Sequence, residues 1–524
     1  MDTKALRQKV LDLAIRGKLV PQDPSDEPAS VLLERIRQQK QQMVKEGKLK
    51  AKDIKNDTII FVGEDNLHYE KFTDGSVKCI EDDIPFELPK GWAWERLSNL
   101  ATFSGGKTPS TSRREYWDGE VLWVTSKDMK SKYITSSQLR LSVLGAEQMQ
   151  IYQPDTLLLV TRSGILRHTL PIAILKECAT VNQDLKAIVL YMPELAEYVY
   201  VCLKGMESQL LLKYTKSGTT VENVNFDEFQ KVLLPIAPFQ EIRKIIEATS
   251  EATIVVSSIE DEKAAMAEYI VKAKAKILDL AIRGQLVSQD PTDEPASVLL
   301  EQIRAEKEEL VQQGKIKRDK KESVIFRGED NSYYEKIGKK IENIDDEIPF
   351  ELPDGWMWCR GQSCFEGMES TKPQGEFFDY IDIDAIDNRL HRIKAAKHLR
   401  VSEAPSRASR AVKNGSVLFS LVRPYLENIA LVEETHSRCI ASTGFYVCNS
   451  NGILLPEFMF FLMISGYVVN GLNQYMKGDN SPSISKDNIE SWLYPVPPLS
   501  EQKTICAKLK TVFTLIQNVE KSLS

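Results

Sequence analysis

Residues 9–37 read KVLDLAIRGKLVPQDPSDEPASVLLERIR and residues 276–304 read KILDLAIRGQLVSQDPTDEPASVLLEQIR, identical at 24 of 29 positions with an offset of 267. The likeness continues through FVGEDN (61–66) and FRGEDN (326–331), then DDIPFELPKGWAW (82–94) and DEIPFELPDGWMW (346–358), and stops there. A second repeated block pairs LPIAPFQEIRKI (234–245) with YPVPPLSEQKTI (494–505) at an offset of 260. Between the matched segments lie two bodies, residues 92–235 and 356–495, that share little sequence. A duplicated frame around two unlike bodies constrains the architecture before any local motif does. A chain of 524 residues also calls for about three or four structural units rather than one.

Residues 239–283 suit one long helix. In heptads, position a holds Ile242, Thr249, Val256, Lys263, Ile270 and Ile277, and position d holds Ile245, Ala252, Ile259, Met266, Ala273 and Leu280. Only Thr249 and Lys263 are polar, and so apolar a seam needs a partner helix. The C-terminus continues position a with Leu509, Ile516 and Leu523 and position d with Ile505, Val512 and Val519, while the N-terminus adds Leu6, Val10 and Leu13. By the two offsets, Ser524 corresponds to position 264 and Met1 to position 268, so the chain starts and stops at near-equivalent points of one helix. The expected form is a cyclic two-repeat molecule with a pseudo-twofold axis, cut open inside one of its two long helices. The unbroken helix would pack antiparallel on the composite of the two ends. A helix of roughly 40 residues spans ~60 Å, enough to hold two domains at a set distance. The repeats fit equally a coiled-coil scaffold whose duplicated globular parts bind proteins and read no DNA bases.

Composition narrows the class. Hydrophobic residues make up 42% and charged residues 27%, and no apolar run approaches the ~18–20 residues of a membrane span. The opening MDTKALRQKV is charged and lacks the apolar core of a secretory leader, so a cytoplasmic protein is expected. The eight cysteines (79, 178, 202, 359, 364, 439, 448 and 506) show no CxxC or metal spacing and are read as reduced, mostly buried thiols.

Several passages resemble the specificity (S) subunits of type I restriction-modification systems. LPKGWAWERLSNL (88–100) and SGGKTPSTSRREYWDGEVLWVTSKDM (104–129) are similar to the opening of that family's target recognition domains. VLFSLVRPYLENIALV (417–432), ASTGFYVC (441–448) and GDNSPSISKDNIESWLYPVPPLSEQKTI (478–505) are similar to their closing parts, and LDLAIRGKLV and PPLSEQ to the family's helical ends. The resemblance covers nearly the whole chain. It implies an α+β fold: two strand-rich target recognition domains separated by a long antiparallel coiled coil. The expected divisions are an N-terminal helical segment (1–83), a first recognition domain (84–238), a central helix with the second helical segment (239–345), a second recognition domain (346–497) and a C-terminal helix (498–524).

The resemblance also implies double-stranded DNA, two modification (methyltransferase) subunits and restriction (ATPase-nuclease) subunits as partners, and no membrane. S-adenosylmethionine, ATP and Mg would sit on those partners, with no cofactor or metal in this chain, which would be non-catalytic. Because the bodies differ, the implied DNA target is bipartite and asymmetric; two identical readers on a twofold frame would read a palindrome.

Net charge is −7, which opposes phosphate binding unless cations cluster locally, within a Debye length of ~8 Å. In the first body the DNA-facing candidates are Gly106, Lys107, Thr108, Ser110, Thr111 and Arg113, then Lys127, then Arg162 and Ser163, then Lys216, Ser217 and Thr219. Small residues with hydroxyls suit close approach of a phosphate backbone, while Arg and Lys suit guanine edges. In the second body, residues 389–413 hold Arg389, Arg392, Lys394, Lys397, Arg400, Arg407, Arg410 and Lys413 against the single acid Glu403. A solvated helix face is the other reading of that run. Arg389 and Arg392 are the candidates there, with Arg423, Tyr425 and Asn428 after a strand-like run and Lys477, Asn480 and Ser481 in a polar turn. The seam candidates are Ile242, Ile245, Val256, Ile259, Ile270, Ile277, Leu509, Val512 and Ile516.

ATFSGGKT (101–108) fits a relaxed phosphate-loop pattern, but Pro109 and polar residues follow where an apolar helix should begin. No methyltransferase Asn/Asp-Pro-Pro-Tyr/Phe motif or nuclease carboxylate cluster is present. The basic amphipathic stretches 29–55 and 296–321 repeat with the frame, so they are expected either to dock the modification subunits or to pack on their own domain.

Overall fold

A computed structural model describes residues 2–216, 221–315 and 322–523. The chain divides into two compact units, Met1–Glu262 and Lys263–Ser524, each mixing helices and strands in the α+β manner. One 44-residue helix, Phe239–Ile282, contributes its first half to the first unit and its second half to the other.

In the first unit, helix Thr3–Ile15 starts where the Asp2 carboxylate accepts the Ala5 N–H at 3.0 Å. It ends before Gly17, whose φ of +62° favours glycine and whose missing Cβ admits Pro89 and Trp92. The helix runs antiparallel to the start of the long helix. Arg7 bonds Ser257 and Glu260 at 2.9 and 2.7 Å, while Ala14 and Ile15 share a core with Ile242 and Ile245. The second unit repeats the geometry. Lys274 bonds Glu520 at 2.8 Å, and Leu278, Ala281 and Ile282 share a core with Ile505 and Leu509 of helix Leu499–Leu523. Lys274 is the counterpart of Arg7 by the first offset and Glu520 that of Glu260 by the second, so the duplication is reproduced as matching ion pairs.

Of the seam residues, Ile242, Ile245, Val256, Ile270 and Leu509 are buried, whereas Ile259, Ile277, Val512 and Ile516 are half-buried. Met266 at position d and Leu6 are exposed, so the apolar stripe is not closed along its whole length.

Helix Ala29–Lys45 turns Leu32, Leu33 and Ile36 into the core of its own unit, and helix Ala296–Gln312 does the same with Leu300 and Ile303. Their apolar faces are therefore spent within the unit, as the packing alternative for 29–55 and 296–321 requires; residues 316–321 lie outside the described residues. Each helix is followed by a three-stranded antiparallel meander, Thr58–Val62, His68–Phe72 and Val77–Cys79 in the first unit and Ser323–Arg327, Tyr333–Ile337 and Lys340–Asn343 in the second. Arg96 grips the buried Glu70 of its meander through two bonds of 3.1 and 2.8 Å, and Arg360 grips Glu335 at 3.0 and 2.8 Å. Trp92 donates its indole N–H to Glu241 at 3.0 Å, and Trp356 donates to Glu501 at 2.7 Å. Bidentate charge-assisted bonds of this kind fix orientation as well as adding energy. The Arg–Glu pairs tie the entry of each body to its meander, and the Trp–Glu bonds tie it to the exit helix.

The bodies are strand-rich. The first is built on a five-stranded sheet in the order Ala101–Gly105, Leu185–Leu190, Leu157–Val160, Ile172–Leu175, Tyr133–Ile134, beside a three-stranded sheet of Ala179–Val181, Trp117–Val124 and Leu139–Leu141. The second has a four-stranded sheet in the order Lys397–Arg400, Phe377–Ile381, Ile440–Ser442, Ala408–Ala411 and a three-stranded sheet of Ile429–Leu431, Val417–Ser420 and Phe445–Cys448. The cationic run 389–413 thus lies on strands and turns and not on a helix face. All eight cysteines are free and six are buried. Among the described residues no helix is long and apolar enough to cross a membrane, and no group of His, Cys, Asp or Glu could hold a metal ion.

Candidate nucleic-acid interface

In the first body, strand Ala101–Gly105 runs into a loop and a short 3-10 turn at Arg114–Tyr116. No helix follows the Gly-Gly-Lys-Thr sequence, so the phosphate-loop pattern has no helix N-terminus to complete it. Gly106 is required by its own protein: a Cβ there would lie 2.0 Å from the Val181 carbonyl oxygen. Its small size serves close packing of two backbone segments. Lys107 follows with its N–H on the Val181 carbonyl at 3.1 Å, and Thr108 donates its hydroxyl to Gln183 at 2.5 Å. Ser110 shares a hydroxyl bond with Ser112 at 2.8 Å, and Arg113 reaches the Tyr116 hydroxyl at 2.8 Å. Thr111 is exposed and Lys127 sits in the turn after strand Trp117–Val124.

Backbone bonds join this loop to the other candidates. Asn182 donates to the Val124 carbonyl, linking the turn that carries Lys127, and Thr161 donates to the Asp184 carbonyl, linking the strand that carries Arg162 and Ser163. Arg162 and Ser163 pair antiparallel with Asn223 and Glu222, and Asn223 also faces Lys216. The structure therefore gathers Lys107, Thr108, Lys127, Arg162, Ser163 and Lys216 along one continuous chain of hydrogen-bonded segments. Ser217 and Thr219 lie outside the described residues.

The second body builds an equivalent end from different residues. Arg423 donates its N–H to the Pro482 carbonyl at 2.7 Å and its guanidinium to the Asn480 carbonyl at 3.0 Å. Lys477 and Ser483 exchange backbone bonds of 3.0 Å, and Val422 bridges to Ser483. Arg423 and Glu427 both adopt left-handed backbone, at φ 47° and 55°, which costs roughly 1–2 kcal/mol each for residues with a Cβ. Tyr425 between them is 46% exposed. Asn428 accepts the Ser420 N–H through its carbonyl, and Asn388 donates to the Leu426 carbonyl at 2.8 Å. That last bond brings the hairpin carrying Arg389 and Arg392 to the same end. Ser481 and Asn480 are exposed on the adjoining turn.

The charges sort by pairing. Lys397 is bound to Asp384 at 2.8 Å, Lys413 to Glu366 at 2.5 Å, and Arg400 lies over the Phe377 ring at 5.8 Å. Part of the apparent +7 of residues 389–413 is thereby neutralised at home. Among the described residues no carboxylate lies within ion-pair distance of Lys107, Arg113, Lys127, Arg162, Arg389, Arg392, Arg423 or Lys477, and all eight are exposed. Exposed cations whose charge no internal carboxylate neutralises are the groups available to phosphates.

Asn182, Gln183, Asn223 and Asn388 also belong to these ends, and reasoning from composition missed them because none lies in a charged run. Amides of this kind are suited to adenine edges. The offset of 260, carried upstream of Leu234, pairs Asn223 with Ser483, and both occupy the central segment of their three-segment ends.

The sequence profile of the type I restriction modification DNA specificity domain matches residues 89–264 and 374–524. The specificity subunits of the type I restriction enzymes EcoEI and EcoAI of Escherichia coli are each 25% identical, over 99% of this chain and 90% of theirs. The crystal structure of the HsdS subunit from Thermoanaerobacter tengcongensis is 36% identical over a match covering 33% of this chain and 46% of that one, with a TM-score of 0.32. With a duplicated frame, two dissimilar strand-rich bodies and a domain profile matched twice over more than half its length, the chain belongs to the type I restriction-modification DNA specificity family, as a non-catalytic specificity subunit.

Proposed function

We propose that each body reads one half of a bipartite, asymmetric DNA target. The observation that carries this reading is the pair of equivalent loop ends with unlike residues: Arg162, Ser163, Lys216 and Asn223 in one unit stand where Val422, Arg423, Lys477 and Ser483 stand in the other. One scaffold with two chemistries at corresponding positions gives two specificities. Lys107, Lys127, Arg389 and Arg392 contribute affinity through phosphates or guanine edges, Tyr425 offers an apolar contact, and the amides and hydroxyls contribute base choice. The remaining candidates, Gly106, Thr108, Ser110, Thr111, Arg113, Ser163, Ser217, Thr219, Asn428, Asn480 and Ser481, are assigned to the same two faces.

The long helix and the two terminal helices form the antiparallel coiled coil between the readers, with the five-part division at 83, 238, 345 and 497. The duplicated frame holds two modification subunits, which carry S-adenosylmethionine and methylate an adenine flipped from each half-site. Restriction subunits supply ATP- and Mg-dependent cleavage, and the complex works in the cytoplasm.

The test is selection by the assembled complex from a pool of random duplexes. Two short, unlike conserved blocks separated by a fixed number of unconserved base pairs are expected. A palindrome, a single block or no enrichment contradicts the reading.

A further inference from the structure

The two bodies share little sequence, yet at one end they pair their segments at the constant offset of 260. Val160 faces Leu185, and Ser420 faces Phe445. Thr161 donates its N–H to the Asp184 carbonyl at 2.9 Å, and Leu421 donates to that of Gly444 at 2.8 Å. Arg162 faces Asn223, and Val422 faces Ser483. Ser163 faces Glu222, and Arg423 donates its N–H to the Pro482 carbonyl at 2.7 Å. Adding 260 turns each first-body pair into its second-body counterpart. The short 3-10 turns that follow, Gly164–Arg167 and Pro424–Leu426, are therefore the same turn built twice. Beyond them the match breaks. Leu159 faces Ile172, but Phe419 faces Ile429, three residues earlier than the offset demands.

At the second residue of this turn stand Ile165 and Tyr425, 48% and 46% exposed. Single apolar residues scattered on a surface need no explanation, but these two recur at matched positions of unlike bodies. Both are held in place. The Ser163 hydroxyl accepts the Ile165 N–H at 3.4 Å, and Tyr425 lies between the left-handed residues Arg423 and Glu427, behind the fixed φ of Pro424. Their surroundings are cationic: Arg162 in the first body and Arg423 and Lys477 in the second are exposed, with no carboxylate at ion-pair distance among the described residues.

We propose that Ile165 and Tyr425 are corresponding base-reading residues, each packing against the C5-methyl group of a thymine in the major groove of its own half-site. The proposal rests on the reading above, that each body meets one half-site, and names what one position of each body recognises. Cations around an apolar tip suit a polyanion with an apolar group inside its groove, and the thymine methyl is the apolar group that a groove edge offers. Burying it against a side chain already fixed by its turn gains apolar contact at little cost in ordering. Ile and Tyr differ in reach, so the two thymines need not fall at the same step of their half-sites.

The complex is assembled from the full-length chain and its partner subunits, and its two half-sites are taken from selection among random duplexes. Each thymine is then replaced in turn by deoxyuridine, which removes the methyl and keeps the base pairing, and affinity is read by fluorescence anisotropy. One replacement in each half-site should weaken binding about fourfold, the effect of losing one buried methyl. Ile165→Ala should abolish that effect in one half-site and leave it in the other, and Tyr425→Ala should do the reverse. Both changes are exposed and spare the core. Gly164→Ala, beside Ile165 with open space around it, should leave both effects intact. A half-site without thymine, no deoxyuridine effect in either half-site, or effects that survive both alanine variants would overturn the inference while leaving the proposed function standing. The last of these would mark Ile165 and Tyr425 as wedges between bases or as backbone contacts. An effect confined to one half-site would overturn the assignment of the other residue. Selection that enriches no pair of unlike blocks would overturn the proposed function itself.

Discussion

Replacing Lys107 and Arg162 together with alanine tests whether the first loop end meets the DNA backbone. Both side chains are exposed, and neither has a carboxylate partner among the described residues, so their loss should leave stability nearly unchanged. Each phosphate neutralised by a cation steepens the dependence of log K on log salt by ~0.9. Removing two contacts should flatten the slope by about 1.8. Between 200 and 50 mM salt the affinity gap between parent and variant should therefore widen by roughly 4^1.8, or about tenfold. Fluorescence anisotropy of the assembled complex on a labelled target duplex across that range measures both slopes. Parallel lines would refute the assignment, because they would mean that neither cation displaces a counterion on binding. Alanine at Arg389 and Arg392 gives the matching measurement for the second body.

Three further outcomes follow from packing and titration. Gly106→Ala should cost about 1–3 kcal/mol in chemical denaturation, since its Cβ would lie 2.0 Å from the Val181 oxygen; Gly164→Ala, with open space around it, should be near neutral, and equal effects would contradict the assignment. Ile245→Ala and its counterpart Ile505→Ala, both fully buried, should each destabilise their own unit by about 2–5 kcal/mol, and losses below about 1 kcal/mol would show that the helix pairs do not depend on them. Burial pushes the Glu95 carboxyl up from 4.5 to about 7. The folded chain then holds a proton that the unfolded chain has released, so stability should fall as pH rises from 4.5 to about 7, by up to about 3 kcal/mol, and level off beyond. Glu95→Gln should flatten that stretch of the pH profile, and an unchanged profile would exclude Glu95 as its source.

The frame was legible because repetition carries three-dimensional information. The two offsets carry the ion pair Arg7–Glu260 of one unit onto Lys274–Glu520 of the other. The heptads marked the long helix, although they did not reveal that Met266 stays exposed, because exposure depends on where the partner helix ends. The bodies were less legible. Strand pairs such as Leu185–Leu190 on Ala101–Gly105 join residues far apart in sequence, and no local period encodes them. The run 389–413 is so dense in Arg and Lys that strand alternation was masked, and its acidic partners Asp384 and Glu366 lie outside it. A chain read in one dimension also does not show that Val181 lies against Gly106 or that Gln183 bonds Thr108.

The central claim is that two unlike readers on one frame each set half of the target. Methylated adenines are mapped in cells carrying this chain with its partner subunits, before and after residues 92–235 are exchanged for the corresponding body of another specificity subunit. One half-site should change to the donor's sequence while the other half-site stays as it was. A target altered in both halves, or in neither, would contradict the account.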